Sequence, residues 1–187
     1  FFWSPFENAA AMGMGGATIA IPSLSAGLAN EAQLGLGERL GFWVGSALPY
    51  GVTGWHTGNV QAVAGIGKYS GVGLGIEHSA VDIYAEHRFR LAYGRRLTEA
   101  FYLGGSVDVL RASAQEYGSA TMATFGLSML ARVLPDVWIG AKIQNPFQQK
   151  IGEDLVPTLL RIGGSWKPSE ILLMTFETEK DLERRFG

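Results

Sequence analysis

The chain has 187 residues, a net charge of −2, 17% charged and 47% hydrophobic residues, 26 glycines and no cysteine. That length suits one domain with a sizeable core, and the near-neutral charge gives no basic footprint for nucleic acid. The absence of cysteine excludes disulfides and thiolate metal sites, and no apolar run reaches the ~18–20 residues of a membrane-spanning helix.

Phe1-Phe2-Trp3-Ser4-Pro5 carries no basic region, apolar core and cleavage site. It therefore reads as a chain that starts after processing or lacks its first residues. Pro5–Met12 predicts about two helical turns, with Ser4 as cap and Pro5 at the first helical position. Gly13-Met14-Gly15-Gly16 breaks that helix. The cluster follows no strand and lacks the Lys-Ser/Thr of a phosphate-binding loop, so it reads as flexible or close-packed backbone. Ala17–Ile21 is a short apolar segment ended by Pro22, and Ser23–Leu34 reads as irregular or a helical turn. Residues 1–35 are expected to be a hatch in or beneath a barrel mouth, and residues 36–187 the strands of the barrel.

From Leu36 onward side chains alternate with a period of two, which puts successive residues on opposite faces of a strand. Leu40, Phe42, Val44, Ser46 and Leu48 share a face of the first strand, Val60, Ala62, Ala64 and Ile66 of the second, and Val72, Leu74 and Ile76 of the third. The clearest stretch is Ile83–Ser113, two alternating runs joined by Arg95-Arg96-Leu97-Thr98-Glu99. In it Ile83, Phe89, Leu91, Phe101, Leu103, Val107 and Val109 lie opposite Glu86, Arg88, Arg90, Ser106 and Asp108. Phe125, Leu127 and Met129 mark a sixth strand and Val137, Ile139 and Ile143 a seventh. Leu160, Ile162 and Trp166 mark an eighth and Leu172, Met174 and Phe176 a ninth. Helical periodicity does not compete over this range.

Four connections are tight: Lys68-Tyr69-Ser70, Arg95–Glu99, Leu134-Pro135-Asp136 and Lys167-Pro168-Ser169-Glu170. Pro49–His56, Glu77–Asp82, Ser113–Ser119 and Asn145–Val156 are expected to be longer and more polar. Strands of about ten residues joined by short and long connections in turn are the sequence pattern of an antiparallel transmembrane β-barrel. In that arrangement the apolar faces meet lipid, and Glu86, Arg88, Arg90, Asp108, Lys142 and Arg161 form a luminal charge cluster. A soluble lipid-binding β-barrel would turn the same faces inside out, and alternation alone does not choose between them.

The order of segments resembles the Bacteroidetes outer-membrane proteins related to PorV and PorQ of type IX secretion, which are similar to the FadL-type barrels. The residues that carry the resemblance begin with Ala11-Met12-Gly13-Met14-Gly15-Gly16-Ala17-Thr18-Ile19-Ala20 and with Ser25–Leu34, where the family has an Asn-Pro-Ala motif. Leu91–Leu97, Gly140 with Asn145-Pro146, Pro157–Gly163 and Glu177–Leu182 follow in order. Glu31 stands where the family usually has proline. The hatch residues singled out are Met12, Gly13, Gly15, Gly16 and Asn30. The resemblance implies a non-enzymatic outer-membrane barrel, either an adaptor for a secretion translocon or its cargo, or a FadL-like passive channel for hydrophobic or small solutes. It implies outer-membrane lipid as a partner and no cofactor. It also implies about fourteen strands, an even number as bacterial single-chain barrels have, so the chain is expected to continue through roughly five further strands that pair the last edge.

Other chemistry is weakly signalled. His56, His78 and His87 lack metal-ligand spacing, and Glu177, Glu179, Asp181 and Glu183 read as the solvated end of a strand. No nucleophile elbow is present, and the expectation is that the protein is not an enzyme.

Overall fold

A computed structural model describes residues 9–23, 28–37, 40–115, 118–151 and 154–183. The alternating segments become β1 Leu40–Ala47, β2 Trp55–Ile66, β3 Ser70–Val81, β4 Tyr84–Arg96, β5 Phe101–Ala114, β6 Gly118–Leu134, β7 Val137–Gln144, β10 Leu159–Ser169 and β11 Leu172–Asp181. These nine strands form one antiparallel sheet in sequence order, with β1 and β11 at its open edges. Two short strands, β8 Lys150–Ile151 and β9 Asp154–Leu155, pair only with each other inside the β7–β10 connection. The fold is all-β, and among the described residues no helix is long and apolar enough to cross a membrane.

The two faces of the sheet are unlike. Gln61, Arg88, Arg90, Asp108, Thr124, Ser128 and Lys142 are buried on the inner face. On the outer face Leu74 is 58% exposed, Leu91 56% and Leu127 60%, although each is a residue type that ordinarily fills a core. The polar face is the covered one.

The cover is the N-terminal part of the chain. A short helix, α1 Ala9–Gly13, is followed by Gly15 and Gly16 with φ of 63° and 82°. Thr18–Ile21 is buried, and a 3-10 helix runs from Glu31 to Leu36. Asn30 caps that helix, its side-chain oxygen accepting from the Ala32 amide, and Gly37 ends it in the left-handed region. The 3-10 helix lies across β2 to β6. Leu28 and Leu34 pack on Val63 and Ala92, and Ala32 packs on Tyr102 and Leu130.

Two expectations change, and a third falls partly outside the described residues. The helix expected over Pro5–Met12 is described only as Ala9–Gly13; its Ser4 cap and Pro5 lie outside the described residues. Glu77–Asp82 is not a long connection: pairing continues to Val81 opposite Tyr84, and Asp82, at φ 46°, makes a hairpin turn with Ile83. Likewise β5 and β6 pair out to Ala114 opposite Gly118, so Ser113–Ser119 is mostly strand. Glu77, His78 and Ser79 in the first stretch and Ser113 and Ser119 in the second are paired in the ladder instead of looping away. Long connections are therefore confined to Leu48–Gly54 and Asn145–Thr158. The second is folded by its own first residue: buried Asn145 donates to the Val156 carbonyl at 2.6 Å and accepts from Thr124 and the Gln149 amide.

Candidate functional site on the charged inner face

Alternation along β4 sends Glu86, Arg88 and Arg90 to the inner face, and the register of β4 on β5 sets Asp108 opposite Arg90. Arg90 Nε donates to Asp108 Oδ1 at 2.7 Å, and Ser106 donates to the other carboxylate oxygen at 3.1 Å. Arg88 pairs with Glu77 of β3 and stands 4.0 Å from Asp108. From β7, Lys142 reaches the Ala29 carbonyl at 3.1 Å. Within these contacts the sheet sets Arg88, Arg90 and Lys142 beside Asp108 and Glu77, with Glu86 buried on the same face.

Glu31 joins this group from the cover. It opens the 3-10 helix, is fully buried, and brings Oε1 to 2.8 Å from Lys142 Nζ and 3.8 Å from Arg90 Nη1. The Lys142 contact is at hydrogen-bond distance but off hydrogen-bond geometry, so its attraction is chiefly Coulombic. Burial alone would raise the carboxyl pKa, yet Lys142 and Arg90 outweigh it and hold Glu31 below the ordinary carboxylate range. Two backbone contacts complete the fit: Arg90 donates to the Leu28 carbonyl at 3.2 Å, and Gln61 accepts from the Leu28 amide at 2.9 Å.

A second anchorage lies at the other side of the sheet. Arg161 of β10 is the register partner of Lys142, but its carboxylate is Glu177 of β11, 2.5 Å from Arg161 Nε. Glu177 also accepts from the amides of Thr18 and Ile19 at 2.9 and 3.0 Å, and Arg161 donates to the Gly16 carbonyl at 3.1 Å. Ser165 donates to the Ala20 carbonyl at 2.8 Å.

Arg88, Arg90, Asp108 and Lys142 thus form one linked group, and Arg161 belongs to a neighbouring one. Glu86 is buried on the same face, where the Tyr84 hydroxyl donates to it at 2.8 Å. In the cover, Met12 is 48% exposed, and Asn30 donates to the carbonyls of Ile19 and Met129. At Gly13, Gly15 and Gly16 a Cβ would meet open space, so close packing is not what calls for glycine there. Gly15 and Gly16 answer instead to positive φ. The close-contact glycines are on the sheet, where a Cβ on Gly94 or Gly104 would overlap the Glu31 backbone and one on Gly140 the Ile19 carbonyl.

Sequence reasoning passed over Glu31, Glu77 and Glu177. Glu177 was expected at a solvated strand end, but its side chain is 8% exposed because the amides of Thr18 and Ile19 cover it. A signal for Glu31 did exist, a lone carboxylate among small residues. His78 and His87 meet on the outer face with ring centroids 4.5 Å apart. Among the described residues no group of three or more His, Asp or Glu is placed to hold a metal ion. The inner-face ions are consumed by one another and by backbone groups of the cover, an arrangement that fastens one segment to a sheet. No family model, curated protein or solved structure matches the chain.

Proposed function

We propose that the protein is a non-enzymatic outer-membrane β-barrel component of the PorV/PorQ kind, an adaptor in type IX secretion or surface-protein assembly. The observation that carries the barrel reading is the inversion of the sheet, with ions and amides on the covered face and large apolar side chains on the open one. Water penalises that outer face, and hydrocarbon suits it. In a bilayer the free edges of β1 and β11 need partners, because lipid supplies no hydrogen bonds.

The cover bears on the choice between adaptor and channel. Anchored by Glu31 and Glu177 at separate places, it occupies the inner face that a FadL-like channel would open to solute. That favours a protein whose working surface is its rim and loops. Nitroxide labels at Leu91 and Leu127 test the membrane reading: both should be relaxed by lipid-soluble oxygen and shielded from aqueous nickel chelates. The opposite pattern would return the chain to a soluble barrel. Co-purification of translocon or cargo proteins with the membrane-extracted protein tests the adaptor; solute uptake by proteoliposomes without such partners would favour the channel.

A further inference from the structure

On the outer face, residues in register across β3, β4 and β5 form rows. One row reads Ile76, Phe89, Val109, and the next towards the β3–β4 turn reads His78, His87, Arg111. The change from apolar to polar happens at the same level on all three strands. His78 and His87 are cross-strand partners with rings 4.5 Å apart, and Arg111 is the partner of His87 on the other side. Directly opposed side chains on neighbouring strands have Cβ atoms only ~5 Å apart, so the guanidinium and two imidazoles share one small patch.

The same strands place a second limit at the far end. Below Phe89, Leu91 and Tyr93 on β4 comes outward-facing Arg95. From His87 to Arg95 is roughly 27 Å of strand at ~3.4 Å per residue, or about 20 Å of depth at the usual barrel tilt, near the ~25 Å apolar band of such proteins. The His78–His87–Arg111 row therefore falls where headgroups begin. The outward faces of β3, β4 and β5 carry no carboxylate: the remaining outward residues are apolar, small or hydroxylic, apart from Arg95. A cation and imidazole N–H donors with no competing acid, directly above exposed Ile76, Phe89 and Val109, match an anionic phosphate carried on acyl chains.

We propose that His78, His87 and Arg111 form a surface site for the phosphate of an anionic lipid headgroup, whose chains lie along Ile76, Phe89 and Val109. The site rests on the membrane reading above. It needs no closed barrel, because all its residues come from three consecutive strands.

The test uses the full protein in detergent, with bound lipid counted by native mass spectrometry. The probes are phosphatidylglycerol, lipid A, phosphatidylcholine and inorganic phosphate. Wild type should retain phosphatidylglycerol or lipid A in preference to phosphatidylcholine. Arg111→Gln should cut that preference about fivefold, the weight of one interfacial cation, and adding His87→Gln should cut it further, whereas Arg95→Gln should leave this site occupied. These side chains are on the open outer face, and unchanged protease protection of the cover will show that the variants are folded. Unaltered lipid preference in the double variant overturns the site. So does equal loss in Arg95→Gln, which would mean diffuse charge attraction, and so does occupancy by inorganic phosphate that displaces the lipid. Flotation of wild type with phosphatidylcholine vesicles is scored separately: failure to float removes the membrane reading itself, whereas flotation with unaltered preference removes only the site.

Discussion

The cover is fastened to the sheet in two places by opposite arrangements. At the first, it contributes the charge: Glu31 enters a group of sheet cations and is fully buried there. At the second, the sheet owns both ions, Arg161 and Glu177, and the cover contributes only the amides of Thr18 and Ile19 and the carbonyl of Gly16. At the first anchorage losing the cover removes a carboxylate from Lys142 and Arg90; at the second the sheet keeps its own ion pair. A buried cation deprived of its partner is far more costly than an ion pair deprived of two amide donors. The grip on Glu31–Leu36 is thus expected to be strong and specific, and the grip on Gly16–Ile19 weaker.

Removing Glu31 probes the difference most directly. Glu31→Ala takes a fully buried carboxylate away from Lys142 and Arg90, and should cost about 3–5 kcal/mol by analogy with broken buried pairs. Urea unfolding in detergent micelles and limited proteolysis of the cover would report it. If the cover of Glu31→Ala stays as protected as wild type, the Glu31 ion pairs are not what holds it.

Backbone contact sharpens the comparison next. Ala in place of Gly94 pushes on the Glu31 carbonyl, and Ala in place of Gly140 on the Ile19 carbonyl. Overpacking of this kind costs about 1–3 kcal/mol. Gly94→Ala should expose the 3-10 helix to protease first, and Gly140→Ala the Thr18–Ile21 stretch. Identical cleavage patterns would mean that the cover moves as a single rigid piece and that the two anchorages do not act separately.

Acid should act on the first anchorage through Glu31. Its folded pKa lies below the ordinary value, so the stability it contributes is fully present above the unfolded value, about pH 4.3, and is lost as pH falls through the lower folded value. Protease protection of the 3-10 helix should therefore hold from neutral pH to about pH 4.3 and decline below it. Glu31→Gln should lack this component of the pH profile. A wild-type decline centred well above that pH would assign the effect to another group.

The strands were legible because alternation is a local signal, and each of the nine apolar stripes named from sequence falls on one strand of the sheet, except for Leu48 and Ile83 just beyond strand ends. Which face would be covered was not legible, since alternation is symmetric between inside and outside and only the folded cover breaks the tie. Arg88, Arg90, Asp108 and Lys142 could be found because they interrupt strand patterns. Glu31 offered only the signal of a lone carboxylate among small residues and Glu177 none, since their burial depends on partners distant in sequence: Lys142 for one, Thr18 and Ile19 for the other. Glycines misled in an instructive way. A cluster such as Gly13–Gly16 attracts notice, but close approach needs glycine on the surface being approached, so Gly94, Gly104 and Gly140 carry it from inside strands. The turn at Asp82 was missed because a polar run looks like a loop until the ladder is seen to continue through it.

The smallest effect belongs to the second anchorage. In Glu177→Gln the amide oxygen can still accept from Thr18 or Ile19, so those donors need not be stranded. Arg161 loses its 2.5 Å partner but keeps Glu179, whose carboxylate is 3.7 Å away and half-exposed, and it keeps the Gly16 carbonyl at 3.1 Å. What disappears is the charge assistance of a few hydrogen bonds, worth about 1–2 kcal/mol, and Glu179 should recover part of it. Fluorescence from an environment-sensitive dye at Ala17→Cys, in a chain with no other cysteine, would follow release of this stretch apart from that of the 3-10 helix. The expected result is earlier release at Ala17 with the 3-10 helix still protected. Were Glu177→Gln to free both stretches together and cost as much as Glu31→Ala, burial would not be what separates the two anchorages. The cover would then be held by one cooperative network spanning Lys142 and Arg161, which already stand side by side in register.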